Sequence, residues 1–416
     1  MATIIEQKPL YNTLPVGQDV IFAVSNRSVV ATQVRVKFTA RVYISGTTPP
    51  VFAQTQHRVG TFKTTPNNKG VGIFNLSSIV ESFVKADNIS GAFSSYKGTL
   101  ANTDLQIPLH LIDTYAVNGE VMKYLAIRFH VEYLDTDDTS STYNQIIDTD
   151  PVNSASYKIF NGYLKHTNKL SIFQDDFGYS MSNFQLSASG NRFLTNAPVN
   201  QYARVEDYGT LAFLDHNNNI EYINLHYYNA EDASLGTDNV YTFLNPSADI
   251  RFHYLYFGCY PANLRSDGTT TFAGLVTAGT ISYYTIRAYN ATNNPMSKEY
   301  RIDIKCPDLK GYAPIRLAWL NQWGAWDYYT FSKKSVRSIS TKGSTYTQQS
   351  GTWNESSFRI KGYKGGQKSF RVNATERIRI NTDYVTEAEG EWFEELINSP
   401  EVYIIDDYQT DNTFPL

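Results

Sequence analysis

Candidate chemical groups in this sequence are few and scattered. Side chains with oxygen atoms lie at alternate positions of one segment: Asp215, Asn217, Asn219 and Glu221. Oxygen is the ligand atom that Ca²⁺ prefers. The segment lacks the glycine and the terminal glutamate spacing of an EF-hand loop, and Asn-rich segments between strands are common as turns. We therefore interpret residues 215–219 as a hairpin tip, with a calcium loop as the less favoured alternative.

Two pairs of adjacent carboxylates, Asp175–Asp176 and Glu394–Glu395, are candidates for acid–base chemistry. The two acids of a glycosidase face each other across a sugar, roughly 5 Å or more apart. Neighbouring residues in a strand point to opposite faces, so neither pair qualifies from its spacing.

Metal and nucleophile motifs are equally weak. The histidines His216, His226 and His253 fit neither H-E-x-x-H nor H-x-H, and Cys259 and Cys306 are too few for a disulfide scaffold or a cysteine zinc site. The chain contains no G-x-S-x-G elbow, Walker loop or dinucleotide fingerprint. We therefore expect no metal, no cofactor and no enzymatic activity.

The composition predicts an all-β protein. Among 416 residues there are 31 Tyr and 23 Phe but only 4 Met, and few long segments have helical periodicity. The net charge of −4 argues against a general nucleic-acid binder. The first residues lack the features of a signal peptide, and no apolar run is long enough to span a membrane. These features predict a protein made in a cytoplasm.

The elements that carry these residues are predicted to form tandem antiparallel β-sandwich domains with a few short helices. Boundaries at 1–155, 156–305 and 306–416 follow the strand and turn pattern, with a polar arm before residue 19 and a linker or loop tip at 135–141. The third domain carries a helix near 387–398.

Local patterns predict several elements in more detail. Val34 and Phe38 alternate with basic and polar residues, as one face of a half-buried strand does. Residues 75–87 have helical spacing, with Ser77 or Ser78 as the cap. The helix near 387–398 begins with the capping-box pattern Thr386-x-x-Glu389.

The aromatic segment Ile315–Ser335 (IRLAWLNQWGAWDYYTFSKKS) organises the last domain. Alternation puts Ile315, Leu317 and Trp319 on one face of a strand, and a turn around Trp323 leads into a second aromatic strand. A core hairpin is the favoured interpretation. The alternative is a ligand-stacking platform, on which Trp323 would be an exposed ring.

The run LAWLNQWGAWDYYTFSKKSVRS resembles a module of tail-associated virion proteins of bacteriophages, in which a strand ends in WLN and a G-x-x-D turn follows. The segments 381–405, 72–87 (GIFNLSSIVESFVKAD) and 193–198 (FLTNAP) are also similar to parts of such proteins. The resemblance is strongest over about the last quarter of the chain. It implies a role in virion assembly, in a tail, tail-ring or baseplate-type component, and no chemistry.

The last domain is divided by charge. Residues 333–379 contain eleven Lys or Arg and two Glu, whereas residues 381–416 contain ten Asp or Glu and no basic residue. The charges can pair within the chain, between subunits of a ring, or with nucleic acid. Arg371, Arg377, Glu391 and Glu394, together with Trp323, are the interface candidates.

Two functional classes therefore remain beside an enzyme, which is the least favoured. The first is a phage virion structural protein that forms a homo-oligomeric ring and contacts other tail proteins. The second is a carbohydrate-binding adhesin or receptor-binding, fibre-like protein that contacts a host-surface glycan.

Overall fold

A computed structural model describes most of the chain. The described residues are 2–9, 12–46, 48–86, 95–96, 109, 112, 115–118, 120–149, 151–163, 181–187, 189–215, 219–241, 254–266, 271–305, 310–349, 351–352, 355–360 and 366–405. Residues 216–218 of the predicted hairpin tip, the pair Asp175–Asp176, His253 and Cys306 lie outside them. The strands on either side of that tip, Thr210–Phe213 and Tyr222–Tyr228, belong to different sheets, so the interpretation of this segment as a hairpin is wrong.

The protein is all-β, as the sequence predicts: sheets pack as sandwiches, and short helices connect them. The strands, in chain order, are β1 Ile4–Gln7, β2 Thr13–Pro15, β3 Ile21–Ser25, β4 Val34–Ser45, β5 Arg58–Thr64, β6 Val71–Asn75, β7 Ser95–Tyr96, β8 Tyr115–Asn118, β9 Met122–Leu134, β10 Ile146–Asp148, β11 Val152–Asn153, β12 Tyr157–Phe160, β13 Asn200–Ala203, β14 Thr210–Phe213, β15 Tyr222–Tyr228, β16 Ser234–Val240, β17 Tyr254–Gly258, β18 Tyr283–Tyr289, β19 Tyr300–Ile304, β20 Ile315–Leu320, β21 Trp326–Phe331, β22 Val336–Gln348, β23 Gly366–Arg379 and β24 Val402–Ile405.

The α-helices are short. They are α1 Arg27–Thr32, α2 Ser77–Glu81, α3 Pro261–Ser266, α4 Thr271–Thr277 and α5 Glu387–Asn398. Within the described ranges, no helix has the length and apolar character needed to cross a membrane.

The chain folds as two compact units. The larger unit comprises Met1–Cys306, Arg316–Tyr329 and Thr386–Leu416, and the smaller comprises Pro307–Ile315 and Thr330–Val385. The chain therefore enters and leaves the larger unit more than once near its C-terminal end.

The first sandwich of the larger unit packs sheet β1-β3-β6 against sheet β2-β12-β9-β4-β5, with β10 and β11 also paired to β9. Alternating residues of β4 (Phe38, Ala40, Val42) are fully buried and meet Phe22 and Phe129 in one core. The rings of Phe22 and Phe129, from opposite sheets, have centroids 5.5 Å apart. The alternation of apolar residues thus produces the predicted core face.

The register of β4 departs from the prediction at its start. A bulge lies between Val34 and Lys37, and Arg35 adopts φ 55°. The extra residue turns Val34 away from the face occupied by Phe38, so Val34 is 47% exposed. The placement of Val34 and Phe38 on one buried face is therefore wrong.

The N-terminal segment before residue 19 is part of this sandwich. Leu14 lies opposite Ile159 in a parallel pairing of β2 with β12, and both Leu14 and Val16 are 2% exposed. Strand β12, which the sequence interpretation assigns to a second domain, thus completes the first sheet. Residues 135–141 form the loop between the paired strands β9 and β10.

Helix α2 is shorter than predicted. It spans five residues and not the whole of 75–87, and its N-cap is Leu76. The Asn75 side-chain oxygen accepts the Ser77 backbone N–H at 3.1 Å, so Asn75 performs the capping role expected of a serine.

The second sandwich packs sheet β13-β19-β18-β15-β16 against sheet β14-β17-β8-β7. The Tyr284 hydroxyl of β18 donates to the Cys259 carbonyl at 2.7 Å, and Phe213 and Phe257 meet in the same core. Strand β17 is buried along its whole length, because a third sheet, β21-β20-β24, covers its other side. Two hydrogen bonds show this packing. One joins the Tyr254 hydroxyl to the Trp323 carbonyl, and the other joins the hydroxyls of Thr210 and Tyr328.

The C-terminal segment is therefore divided differently from the predicted 306–416 domain. Leu320, Trp323 and Trp326 belong to the same core cluster as Phe257. Strands β22 and β23, in contrast, form the separate two-stranded sheet of the smaller unit.

Candidate functional site

Segments that carry the phage resemblance converge in the larger unit. Asn321, the asparagine of WLN, is fully buried, and its side-chain oxygen accepts the backbone N–H groups of Trp323 (3.0 Å) and Ala325 (3.1 Å). Its side-chain nitrogen donates to the carbonyl of Leu194 at 2.8 Å, in the FLTNAP segment. Asn321 thus builds the turn and fastens it to a distant segment of the chain.

The glycine of the turn allows close packing. Gly324 adopts φ 75°, and a Cβ atom built there would lie 2.1 Å from the Asn161 carbonyl oxygen. Only glycine fits both the backbone conformation and the space.

Trp323 lies inside the protein. It is 1% exposed, its ring centroid is 3.9 Å from that of Phe184, and its carbonyl accepts the Tyr254 hydroxyl at 2.6 Å. The interpretation of Trp323 as an exposed stacking ring is therefore wrong. The backbone of Gly324 packs closely against the Asn161 carbonyl, so the turn lies in the core. Trp319, on the preceding strand, is fully buried as predicted, with Ile315 and Leu317 also buried.

The aspartate of G-x-x-D anchors helix α5. Asp327 is 3% exposed and accepts the Trp392 indole N–H at 2.7 Å. Glu395, one helical turn further on, is 1% exposed and accepts the Asn196 amide at 2.5 Å. Two buried carboxyls thus connect α5 to the rest of the unit: Asp327 joins it to β21, and Glu395 joins it to the FLTNAP segment.

Glu395 affects the ionisation of Asp327. Burial, and then the nearby Glu395, raises the pKa of Asp327 to about 7. Paired acids of this kind can perform proton transfer when a substrate reaches them. Both carboxyls are buried here, and their hydrogen bonds to Trp392 and Asn196 hold α5 in place.

Sequence inspection missed this pair. The spacing argument treats Glu394 and Glu395 as neighbours on a strand, whereas they lie on α5, with Glu394 exposed and Glu395 buried. The available signal was helical spacing: Trp392 and Glu395 lie three residues apart, on one face of a capped helix.

A groove of about 780 Å³ lies beside this region. Its lining includes Glu81 and Lys85 from the segment 72–87, and Asn398, Glu401 and Tyr403 from the segment 381–405. All the segments of the resemblance described in the larger unit therefore contribute either to the buried joint or to this groove.

A second notable surface is the outer face of the sheet containing β15 and β18. Tyr222 stacks on Tyr289 with ring centroids 5.5 Å apart, and Tyr228 stacks on Tyr283 at 4.7 Å. The Arg301 guanidinium lies 3.5 Å from the centroid of the Tyr283 ring. We call this surface the tyrosine face. Three of its rings, Tyr222, Tyr228 and Tyr289, are partly exposed, whereas Tyr283 beside Arg301 is 7% exposed.

The smaller unit presents a long exposed hairpin, β22–β23, which we call the arm. All residues of these strands are exposed except Gln348 and Ile378, which are half-buried. Large apolar side chains are among them: Phe370 is 74% exposed, Ile339 68% and Val372 60%. Arg371 and Arg377, two of the interface candidates, lie on β23 and are exposed.

Helix α5 has an exposed acidic side. The capping box of Thr386 and Glu389 forms as predicted, and Trp392 faces the core. Glu391 and Glu394, the remaining interface candidates, are exposed on the opposite side. In the described ranges of the larger unit, neither glutamate forms an ion pair.

Possible metal ligands do not gather in the described ranges: they contain no group of three or more His, Cys, Asp or Glu that could hold an ion. His226 lies on the tyrosine face, with its ring nitrogens bonded to Ser234 (2.7 Å) and Tyr228 (2.9 Å).

Comparisons with known proteins identify no family for this chain. The sequence matches no protein-family model and no curated protein. Among solved structures, one match is SGBP-B of the Bacteroides ovatus mixed-linkage glucan utilization locus, in complex with a mixed-linkage heptasaccharide. The identity is 8%, the alignment covers 97% of this chain and 96% of that chain, and the TM-score is 0.18. A likeness this low carries no argument about this chain.

Proposed function

We propose that this protein is a structural component of a bacteriophage virion, of tail, tail-ring or baseplate type, which acts by binding other subunits. The resemblance of its WLN-x-x-G-x-x-D module supports the virion setting. The convergence of Asn321, Asp327, Leu194 and Glu395 further supports it, because the similar segments then belong to one folding unit.

The observation that carries the proposal is the exposed arm. A two-stranded hairpin is marginally stable alone in water, and contiguous exposed apolar side chains usually mark an interaction surface. Ile339, Phe370 and Val372 expose most of their surface on such a hairpin. A protein partner that covers the arm accounts for both features, so assembly is the role that the geometry supports best.

The test is the mass of the purified full-length protein at micromolar concentration, measured by native mass spectrometry and light scattering. We expect a closed homo-oligomer. The triple variant Ile339→Ser, Phe370→Ser, Val372→Ser should be monomeric with an unchanged melting temperature, because these side chains are already exposed. Ile146→Ser is the matched control, since Ile146 is 59% exposed on the first sandwich and should leave assembly intact. A wild-type protein that stays monomeric at all concentrations would contradict the proposal.

A second candidate function is glycan binding on the tyrosine face. The observation that favours it is the register of stacked rings across β15 and β18, Tyr222 with Tyr289 and Tyr228 with Tyr283. Of these rings, Tyr222, Tyr228 and Tyr289 are partly exposed. Aromatic rings offer a large, rigid contact area with a polar edge. Calorimetric titration with host-surface polysaccharide should show binding that Tyr222→Ala and Tyr289→Ala abolish without altering oligomer mass. No heat of binding with the wild-type protein would remove this candidate.

A further inference from the structure

We propose that the arm of one copy docks through its basic face on the acidic side of helix α5 in the next copy. The contact joins two different surfaces, so it is heterologous and repeats head to tail, closing into a ring if the rotation allows. This inference rests on the proposed assembly function and identifies a contact in addition to the apolar one, because Ile339 and Val372 lie on the opposite face of the arm.

The pairing register gives the arm two different faces. Directly opposite residues in an antiparallel pair share a face: Ser338 lies opposite Arg377, Lys342 opposite Asn373 and Val336 opposite Arg379. The face defined by these pairs, the basic face, carries four cations and no acid: Lys342, Arg371, Arg377 and Arg379.

The other face of the arm has a different character. It brings Ile339 opposite Glu376 and Arg337 opposite Ile378, and its charges pair internally, Arg337 with Glu376 at 3.9 Å. The bulge at Phe370, between the pairs Ser344–Arg371 and Thr345–Ser369, separates this regular part from the rest of the arm. Positive charge is thus concentrated on one side of the hairpin.

The acidic side of α5 has the spacing of a single helical stripe. Glu387, Glu391 and Glu394 follow one another at intervals of four and three residues and are all exposed. Ile397 continues the stripe by three residues and is 82% exposed. The helix contains no Lys or Arg, so all the charges on its outer side are negative.

The two surfaces are complementary in charge and in their apolar ends. The basic face ends at Val336, which is 44% exposed beside Arg379, and the acidic stripe ends at Ile397 beside Glu394. Within the described part of the smaller unit, Arg371, Arg377 and Arg379 form no ion pair. Within the described part of the larger unit, the three glutamates of the stripe form none either. Opposed patches of this type steer association and fix the register of an interface.

A second copy is the occupant that best fits these observations. It supplies an acidic stripe for every basic face, at equal stoichiometry. The net charge of −4 disfavours nucleic acid as the general partner. A contact of the arm with α5 of the same copy is the remaining alternative, and the experiment separates it.

The test uses two full-length variants with reversed charges. Variant one is Arg371→Glu, Arg377→Glu, and variant two is Glu391→Arg, Glu394→Arg. Each alone should raise the protein concentration needed for assembly by about tenfold or more, because like charges then meet at the contact. Both should melt as the wild type does, since all four side chains are exposed.

Mixing the two variants distinguishes contact between copies from contact within one copy. In the mixture, the acidic arm of variant one meets the basic helix of variant two, and the unchanged arm and helix also match, so assembly should return. The quadruple variant should assemble as well. If only the quadruple variant recovers, the contact lies within one copy and the inference is wrong.

Two further outcomes overturn the inference while leaving the proposed function standing. One is a wild-type oligomer that both reversal variants form normally. The other is loss of DNA binding in variant one, measured by filter binding, with assembly unchanged, which would assign the basic face to nucleic acid. The matched control is Arg27→Glu, Lys37→Glu, which changes the net charge equally at exposed positions of the first sandwich. A monomeric wild type would instead refute the proposed function itself.

Discussion

Two β-hairpins that follow each other in the chain have opposite surroundings. In β20–β21 and its turn, Trp319, Trp323 and Trp326 are each 2% exposed or less. In the arm, Ile339 and Phe370 are 68% and 74% exposed. Both hairpins alternate apolar with other residues, so alternation predicts a strand in each case but does not identify what covers it.

The difference lies in how each hairpin is connected to the rest of the protein. The first hairpin has a turn that is hydrogen-bonded to Leu194, an aspartate that binds Trp392, and a neighbouring strand, β24. The arm is a two-stranded sheet in the smaller unit. The first therefore contributes to folding of the monomer, whereas the second has apolar surface left for a partner.

The largest expected effect tests the buried side of this comparison. Trp319→Ala should lower the free energy of unfolding by about 3–5 kcal/mol, because a fully buried ring packed on Trp392 leaves a cavity. Phe370→Ala is the matched control on the arm, and it should change the stability of the monomer by less than about 0.5 kcal/mol. Urea denaturation monitored by circular dichroism measures both. Equal losses for the two variants would abolish the distinction between the hairpins.

A second prediction concerns the pH dependence of stability. The pKa of Asp327 is raised to about 7 by burial and by Glu395, so the folded state holds a proton that the unfolded state releases near its ordinary pKa of about 4. This contribution to stability is complete below about pH 4, falls as the pH rises toward about 7, and is lost above it.

Asp327→Asn should flatten this pH dependence, because the substituted amide does not titrate. Chemical denaturation of both proteins at several pH values between 4 and 8 measures the slopes. Identical slopes would mean that Asp327 carries the same charge in the folded and unfolded states.

The smallest expected effect concerns the cap of helix α5. Thr386→Ala removes the acceptor of the Glu389 backbone N–H and should cost about 1 kcal/mol. Thr386→Ser keeps the hydroxyl and should restore most of that stability. Thermal unfolding of the three proteins at one pH provides the comparison, and an unchanged melting temperature for the alanine variant would show that α5 does not depend on its cap.

Local sequence signals predict part of this structure well. The helix Glu387–Asn398, its capping box and the buried position of Trp319 follow from patterns contained within a few residues. The all-β fold likewise follows from composition and alternation, because each strand carries its own pattern.

Pairings between distant segments could not be predicted in the same way. Leu14 pairs with Ile159 in parallel strands, and Asp327 meets Glu395 only because a helix returns to the turn. The burial of Trp323 depends on Asn161, whose carbonyl approaches Gly324. In each case the deciding partner lies far away in sequence, and a local pattern contains no information on it.

The central claim is that the basic face of the arm binds another copy through charge. Its most direct test is the native mass of the wild-type protein as the salt concentration rises from about 0.1 to 1 M, because the screening length shortens from roughly 10 Å to 3 Å over this range. We predict a closed oligomer at low salt that dissociates to folded monomers as the salt concentration increases. A mass that does not change with salt, or a monomer throughout, would contradict the account.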